Sequence, residues 1–303
     1  MPVRAIVRLV DPFLVGRAVG RRRSEDRRAA ITAVIAMDNE ETYEVYAVHY
    51  GHHDRQSSQN YIGGDAHDVL QPLDYYVWAI VGRNGAYVVD TGFDEAMGKK
   101  RHRTLVRPIA DGLRAIGVQP DKIENVIVSH LHYDHTGNYD VFPRAKYHLQ
   151  DTEMAYATGR CMCHQFLKTP FEEEDVVAMV RKLFSGRVVF HDGADQIAPG
   201  ITVHKVGGHS KGLQCVRVKT RRGYVVLASD ATHLYNHFEE GRVFPTTYNP
   251  AEVVEGYNHL RRLATSTAHV VPGHDPAVLT RYPAAKAGLE GWVVRLDADP
   301  RQG

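Results

Sequence analysis

Several side chains of metal-ligating type follow directly after a short apolar segment of this chain. Residues 125–129 (NVIVS) predict a buried strand, and the six residues after it have the pattern H-x-H-x-D-H, from His130 to His135. Residues two apart on an extended chain face the same side, so His130 and His132 can bind one ion. The turn that follows can bring Asp134 and His135 toward a second ion, at the spacing of about 3.5 to 4 Å that two-metal hydrolases use. The fold must therefore end a core strand at a metal-binding loop.

Three later residues of ligating type also stand where a predicted strand becomes a loop, namely His209, Asp230 and His274. Strand ends are where rigid scaffolds commonly place functional residues. Any one of the three, taken alone, would more often be structural than a ligand, and four polar residues in one loop can simply be solvated. Together, in a chain with 18 histidines, the seven positions predict a dinuclear metal site.

Strand and helix patterns are mixed along the chain after its first forty residues. Alternating or short continuous apolar runs predict strands over residues 43–48, 76–81, 86–90, 125–129, 145–149, 187–191, 201–206, 213–219, 224–229 and 268–271. A helical period predicts helices over 105–116, 173–184 and 251–263, and the Asn84-Gly85 pair predicts a hairpin turn. This mixture favours an α/β fold with a sheet-rich core and helices on its outer faces.

The charge balance shows no bulk attraction to nucleic acid or to anionic membranes. Lysine and arginine total 37 against 36 acidic residues, which leaves a net charge of +1. Three cysteines are too few for a disulfide framework, and no apolar run reaches the length of about 20 residues that spans a membrane. We therefore predict a cytoplasmic protein with no nucleic-acid or membrane partner. Its oligomeric state stays open, with a homo-oligomer among the options.

Residues 1–40 differ from the rest of the chain in composition. Their short apolar runs are interrupted by charges, and residues 21–28 form a charged stretch rich in arginine. This composition predicts an N-terminal extension that is poorly ordered or peripherally packed. One hydrolase domain is expected over residues 41–303, since a single core can serve about 250 to 300 residues.

These motifs resemble those of the metallo-β-lactamase superfamily over roughly residues 43–281. The resemblance includes residues 88–92 (VVDTG), which look like the family's aspartate-containing turn that supports the metal ligands. It implies a four-layer αβ/βα sandwich with two divalent metal ions at the sheet edges, and we predict that they are zinc. By the family pattern, one ion is held by His130, His132 and His209, the other by Asp134, His135 and His274, and Asp230 bridges them.

The residue at the bridging position narrows the reaction. β-Lactamases with a thiolate ligand carry a cysteine near this point, whereas the nearest cysteine here is Cys215. The sequence around Asp230 instead resembles the N-acyl homoserine lactonase group, whose best-known members have a tyrosine three residues after the bridging aspartate. This chain has His233 there and Tyr235 two residues later. Either side chain could donate a hydrogen bond to a substrate oxygen.

The resemblance implies a quorum-quenching lactonase that opens a small lactone or ester by attack of a hydroxide bridging the two metal ions. Asp134 is expected to pass a proton from the attacking water to the leaving oxygen, so that no separate nucleophilic side chain and no organic cofactor are needed. Loop-like stretches over 59–64 and 156–171 carry the apolar residues Tyr61, Ile62, Met162, Phe166 and Phe171. These side chains either wall a substrate pocket or fill the core beneath the loops.

Other functions found in the superfamily remain alternatives. A thioester hydrolase of the glyoxalase II type would share the seven ligands, although the sequence shows no distinct basic cluster for glutathione. Cleavage of RNA would require a basic patch interleaved with aromatic residues, which is not evident. A non-catalytic metal-binding interaction protein is a different class of answer, but all seven ligand positions are filled. A flavodiiron role would require a carboxylate in place of a histidine of the first string.

Overall fold

The structure of the protein, a computed structural model, describes residues 41–301. The extension predicted over residues 1–40 lies outside the described residues. Between residues 41 and 301 there is no helix of the length and apolar character that crossing a membrane requires.

Strands and helices are interspersed along the described chain. The strands are β1 (Glu44–His53), β2 (Leu73–Gly82), β3 (Gly85–Val89), β4 (Thr104–Leu105), β5 (Asn125–Ile127), β6 (Lys146–Gln150), β7 (Val188–His191), β8 (Ala194–Ala198), β9 (Ile201–Lys205), β10 (Gln214–Thr220), β11 (Gly223–Ser229), β12 (Val270–Pro272) and β13 (Val293–Arg295). The α-helices are α1 (Glu95–Arg101), α2 (Ile109–Ala115), α3 (Asp151–Ala157), α4 (Gln165–Lys168), α5 (Glu173–Phe184), α6 (Tyr235–Glu240), α7 (Pro250–Leu263) and α8 (Ala277–Arg281).

The strands form two mixed sheets. The first has the order β13-β1-β2-β3-β5-β6-β7, with β4 paired to β1, and the second has the order β12-β11-β10-β9-β8. Strands β3, β5, β6 and β7 run parallel to one another, and so do β11 and β12. Parallel neighbours end at the same edge of a sheet, so the loops after β3 and β5 emerge side by side, and so do the loops after β11 and β12.

Three apolar layers separate four layers of structure. Between the sheets, fully buried Trp78 and Ile80 of β2 belong to one cluster with Val216 and Leu227 of the second sheet. On the outer face of the first sheet, α2 and α5 supply Leu113 and Met179 to a second cluster. On the outer face of the second sheet, α7 supplies Val253, Tyr257 and Leu260 to a third. The predicted αβ/βα sandwich is confirmed, because each sheet buries one face against the other and one face against helices.

The predicted elements agree with the structure where one strong pattern decides the conformation. The helix over 173–184 is confirmed at its predicted bounds, and the hairpin of β2 and β3 closes next to Asn84. The helix over 105–116 is wrong in its first turn, because Leu105 pairs with Gly51 as part of β4 and the helix begins only after Pro108. A proline disfavours the helical conformation of the residue before it, so Pro108 keeps the helix from extending back to Arg107.

Candidate metal centre

All seven predicted metal ligands lie in one buried cluster beside the ends of β5, β9, β11 and β12. Their donor atoms form two groups, and within each group the atoms lie within 4.8 Å of one another. The first group contains His130, His132 and His209, and the second contains Asp134, His135, Asp230 and His274. Side chains separated by up to 144 positions in the chain (274 minus 130) therefore meet at one place.

Asp230 lies between the two groups. Its Oδ1 is 3.2 Å from Nε2 of His135 and 2.9 Å from Nε2 of His274. Its Oδ2 is 3.1 Å from Nε2 of His209 and 4.0 Å from Nε2 of His130. Each carboxylate oxygen therefore faces one histidine group, which is the arrangement required of a carboxylate that bridges two cations.

The backbone around Asp230 is shaped to bring it against His274. Ser229 has a positive φ of 47°, an uncommon conformation for a residue other than glycine that occurs at functional sites. Gly273 approaches so closely that a Cβ there would lie 2.7 Å from the carbonyl oxygen of Ser229 and 2.8 Å from Oδ1 of Asp230. Only glycine fits this position, and the close approach places His274 beside the carboxylate.

Asp90, the aspartate of the VVDTG segment, holds the first ligand loop in place. Its Oδ1 accepts from the backbone N–H of Ser129 at 2.7 Å, and its Oδ2 lies 2.7 Å from Nδ1 of His135. This contact fixes the orientation of the His135 ring and leaves Nε2 directed at the cluster. Because β3 and β5 are parallel, Asp90 reaches the loop directly.

Two further histidines are oriented by backbone carbonyls. Nδ1 of His209 lies 2.6 Å from the carbonyl oxygen of Thr246, and Nδ1 of His274 lies 3.0 Å from that of Asp74. A carbonyl can only accept, so each ring carries its proton on Nδ1. In the neutral form of either ring, Nε2 then carries the lone pair that a cation requires.

Glu153, which the sequence analysis did not single out, ties two ligand loops together. It is fully buried in α3. Its Oε1 accepts from the N–H of Leu131 at 3.0 Å, and its Oε2 accepts from Ser210 Oγ and from the N–H of Gly212, both at 2.8 Å. Leu131 lies within the H-x-H-x-D-H string, and Ser210 follows His209. Nothing in the local sequence marks this glutamate, because its three partners come from distant segments.

The electrostatic environment favours the metal-binding forms of His130, His132 and Asp230. Burial and the neighbouring histidines hold the pKa values of His130 and His132 well below their usual range, so both rings are neutral near pH 7. Burial would raise the pKa of Asp230, but His274 and His135 hold it well below its usual range, so the carboxylate is ionised. Neutral imidazole and ionised carboxylate are the ligand forms that cations require. At His135 and His274 the effect is opposite. Burial would lower the pKa of both rings, but the nearby carboxylates, Asp230 first, raise it, so that metal binding there would displace a proton.

Unpaired polar atoms provide a test of whether these residues fit metal ions. Among the described residues, Nε2 of His135, Oδ1 of Asp230 and Nε2 of His233 are buried atoms of this cluster without an aligned hydrogen-bond partner. Buried polar atoms without partners are uncommon and require an explanation. Imidazole and carboxylate groups converging in this way suit zinc and several other divalent transition metals. The residues therefore fit two such ions.

His233, one of the two residues predicted to contact the substrate, lies in the cluster. Its Nε2 lies 3.0 Å from Oδ2 of Asp230, although the two are not aligned as a hydrogen bond. With His209 and Asp230 it forms a third group of candidate ligand atoms. Its ring is stacked on Phe244 with a centroid distance of 3.8 Å and lines a cavity beside the cluster. The position suits a hydrogen bond to substrate or additional contact with a cation.

Tyr235, the other predicted hydrogen-bond donor, is not brought to the cavity. It is 4% exposed and belongs to the apolar cluster between the sheets. The guanidinium of Arg281 lies 3.6 Å from the centre of its ring, and its backbone N–H donates to Asp275 at 2.8 Å. Helix α6 begins at Tyr235, so the chain turns away from the cluster two residues after His233. Tyr235 is thus a core residue.

A cavity of about 270 Å³ opens onto the metal cluster. Its apolar walls are formed by Leu73, Tyr156, Phe166, Leu167 and Tyr248. Of the five wall residues anticipated from the loops, Phe166 lines this cavity. Phe171 instead packs against the ring of His132, at a centroid distance of 4.6 Å, and Tyr61 lies beneath Arg242.

The same cavity is lined by three arginines, Arg55, Arg101 and Arg103. The sequence shows no distinct basic cluster for glutathione, but the fold brings these three arginines together at one cavity. The sequence does not reveal this cluster, because its members come from two segments that meet only in the fold. The R-x-R pair at 101–103, which begins with the last residue of α1, is the one local signal for it.

The chain is similar to known proteins of one family. A sequence model described as the metallo-beta-lactamase superfamily matches residues 70–280, more than half of the chain. N-acyl homoserine lactonase AttM of Azorhizobium caulinodans is 29% identical over 173 residues, which cover 54% of this chain and 62% of that protein. N-acyl homoserine lactonase AiiA of Bacillus thuringiensis subsp. kurstaki is 25% identical over 222 residues, which cover 68% of this chain and 83% of that protein. The chain thus spans less than two thirds of AttM.

Solved structures show the same fold. A quorum-quenching N-acyl homoserine lactone lactonase superposes with a TM-score of 0.64 at 23% identity, covering 78% of this chain and 94% of the other. AidC, a dizinc quorum-quenching lactonase in complex with a product, superposes with a TM-score of 0.61 at 13% identity, covering 78% and 91%. At these identities the likeness establishes the architecture.

Proposed function

Because the chain belongs to the metallo-β-lactamase superfamily, we propose that it is a dinuclear metal-dependent hydrolase that opens a lactone of the N-acyl homoserine lactone type. The observation that supports this most strongly is the position of Asp230. Its two oxygens face two separate histidine groups, where a thiolate-type β-lactamase would have a cysteine. The named relatives act on such lactones, which supports the substrate class.

We assign the first metal ion to His130, His132 and His209, the second to Asp134, His135 and His274, and both to Asp230. Zinc suits this donor set. When bound, the two ions lower the pKa of a water molecule to about 7 and polarise the ester carbonyl.

Two residues of the chain are proposed to act on the reacting atoms. Asp134 lines the cavity, and its Oδ2 stands 3.7 Å from Nε2 of both His135 and His274. This carboxylate can accept the proton of the attacking water and deliver it to the leaving oxygen. His233 lines the same cavity and can donate a hydrogen bond to a substrate oxygen, the role predicted for it from its place after Asp230. Aromatic and aliphatic walls exclude water from the substrate.

Thioester hydrolysis of the glyoxalase II type is the second candidate. One observation favours it, namely the two cavity arginines without a carboxylate partner among the described residues, Arg55 and Arg103, which suit the carboxylates of a glutathione conjugate. The cytoplasmic location, the role in quorum quenching and the absence of nucleic-acid and membrane partners also remain proposals, based on composition and on the named relatives.

The test is a comparison of His132→Ala and Asp230→Ala with the unmodified protein. We expect both variants to lose lactone hydrolysis and to lose bound metal, measured by elemental analysis of purified protein. His67→Ala changes an exposed histidine outside the cavity and serves as the matched control. Retention of both metal and activity in the two ligand variants would remove this cluster from the mechanism.

A substrate panel decides between the two candidate functions. It compares homoserine lactones of several acyl lengths, aromatic lactones, S-lactoylglutathione and a phosphodiester. We expect the highest kcat/KM for a lactone. A clear preference for the thioester would replace the proposed substrate class and leave the metal assignment unchanged.

A further inference from the structure

Two arginines of the cavity lack an anionic partner. Arg55 follows β1 and Arg103 precedes β4, and both line the cavity that opens onto the metal cluster. Within residues 41–301, no carboxylate oxygen lies within ion-pair distance of either guanidinium. Arg103 donates through Nε to the hydroxyl of Tyr133 at 3.1 Å, and its Nη1 lies 3.0 Å from Nε2 of His53. Nη1 of Arg103 also donates to the carbonyl oxygen of Arg101 at 2.8 Å, and Nη2 of Arg55 donates to that of Gln59 at 2.5 Å. The buried Nε of Arg55 has no hydrogen-bond partner in the described chain.

The groups of the described chain that the two guanidiniums contact directly, namely backbone carbonyls, the hydroxyl of Tyr133 and the ring of His53, carry no negative charge. Burial, followed by the charges of Arg103 and Arg55, lowers the pKa of His53 to about 3, so this histidine is a neutral acceptor. Burial and the charge of Arg103 also lower the pKa of Arg55. Two half-buried cations beside each other are costly unless an anion joins them. A bound oxyanion would satisfy both groups.

The third arginine of the cavity shows the contrast. Arg101 pairs with Glu172 through Nε at 2.8 Å and through Nη2 at 2.5 Å, and it also donates to the backbone carbonyls of Thr169 and Phe171. Its charge is neutralised, and its contacts hold the loop after α4. The cavity arginine that has a structural role is thus paired with a carboxylate of the chain. Arg55 and Arg103 have no such partner in the part of the chain that the structure describes.

The side chain of Tyr133 connects Arg103 to the neighbourhood of the proposed metal ligands. Tyr133, which receives the hydrogen bond of Arg103, directly precedes Asp134 in the chain. Its hydroxyl lies 3.4 Å from that of Tyr75, and the ring of Tyr75 lies 4.9 Å from the ring of His274. An anion held by Arg103 and an ester positioned at the metal ligands would thus occupy the same cavity.

We propose that Arg55 and Arg103 bind a carboxylate of the substrate, so that the preferred lactone or ester carries a negative charge close to its scissile bond. This inference rests on the proposed hydrolase function and narrows its substrate class. Arginine suits the role because its permanently charged guanidinium donates strong hydrogen bonds to a carboxylate, and the buried Nε of Arg55, which has no partner among residues 41–301, can donate one.

The experiment uses pairs of substrates that differ only in charge. One pair is 5-oxotetrahydrofuran-2-carboxylate and its primary amide, and the other is N-succinyl homoserine lactone and its terminal amide. The two pairs place the carboxylate at different distances from the lactone. The metal-loaded protein should hydrolyse the carboxylate of at least one pair with a kcat/KM about 10-fold or more above that of the amide. This preference should shrink as salt is added.

Variants then assign the preference to the two arginines. Arg55→Gln and Arg103→Gln should each lower kcat/KM for the preferred carboxylate about 10-fold, mainly through KM, and should lower that for the matching amide much less. Arg103→Lys should retain part of the preference. Arg187→Gln is the matched control, because Arg187 is half-buried, donates to the carbonyls of Ala145 and Phe142, and is not part of the cavity lining.

Binding provides a second readout that does not depend on turnover. Tetrahydrofuran-2-carboxylate and its amide, which cannot be hydrolysed as esters, are titrated into the metal-loaded protein by calorimetry. The carboxylate should bind more tightly than the amide, and Arg103→Gln should reduce this difference. An unchanged difference would mean that the metal ions alone hold the carboxylate, and the inference would be wrong.

The inference and the proposed function fail in different ways. Equal rates on carboxylate and amide, or arginine variants that slow both equally, would leave the arginines a structural role only while lactone hydrolysis stands. Absence of hydrolysis on every lactone by metal-loaded protein would overturn the proposed function instead.

Discussion

The buried carboxylate of Glu153 offers a sharp test of how the metal cluster is held together. Replacing it with alanine leaves three donors without an acceptor, the N–H groups of Leu131 and Gly212 and the hydroxyl of Ser210. Each unsatisfied buried donor costs about 1 to 3 kcal/mol. Relief of the carboxylate's desolvation offsets part of this sum, since burial raises the pKa of Glu153 despite its hydrogen bonds. We therefore expect Glu153→Ala to lower the free energy of unfolding by about 3 to 5 kcal/mol.

The measurement is urea unfolding of protein from which metal has been removed with a chelator, so that metal binding does not add to the stability. Glu153→Gln keeps the shape but has one acceptor oxygen and places an amide N–H₂ against a donor, so a loss of about 2 kcal/mol is expected. Glu255→Ala, which changes an exposed glutamate on α7, should stay within about 0.5 kcal/mol of the unmodified protein. A loss below about 1 kcal/mol for Glu153→Ala would show that the ligand loops do not depend on this carboxylate.

Two other substitutions test whether Asp90 supports the metal ligands and whether Asp175, a half-buried residue of α5, is ionised. Asp90→Asn removes the charged partner of His135 Nδ1 and should weaken zinc binding about 10- to 100-fold in competition with a chelator; an unchanged affinity would rule out this role. Burial, Glu172 and Asp94 raise the pKa of Asp175 to about 7. A carboxyl with a raised folded pKa contributes stability below pH 4 that is lost as the pH rises to 7. Asp175→Asn should therefore raise the free energy of unfolding by about 2 to 4 kcal/mol at pH 8 and change it little at pH 4, and equal effects at both pH values in urea unfolding would contradict this reasoning.

The metal ligands of the candidate site could be predicted from the sequence, whereas the cavity arginines could not. The H-x-H-x-D-H string is local, because one strand end and one turn place four ligating side chains within six residues. The later residues His209, Asp230 and His274 could be linked to the string through their places after strands and through the family resemblance. The arginines could not, since Arg55 and Arg103 have no periodic pattern and meet only where β1 and β4 pair.

Some local predictions failed because tertiary contacts overrode them. Leu105 fits a helical period, yet it pairs with Gly51 at the edge of the first sheet. Strand β8 was not predicted, because three of its five residues are exposed and its pairing with β9 is set by the sheet. Tyr235 has the right residue type and nearly the right spacing for substrate contact, but the start of α6 directs it into the core.

The sequence by itself determined the layered α/β architecture and the set of candidate ligands, because hydrophobic periodicity and dense ligating motifs are local properties of a chain. Only the tertiary structure decided that Asp230 stands between two histidine groups, that Glu153 joins two ligand loops, and that unpaired arginines share the cavity. These relations depend on which strand ends lie side by side. That adjacency follows from the order and direction of strands in the two sheets, which no single segment encodes.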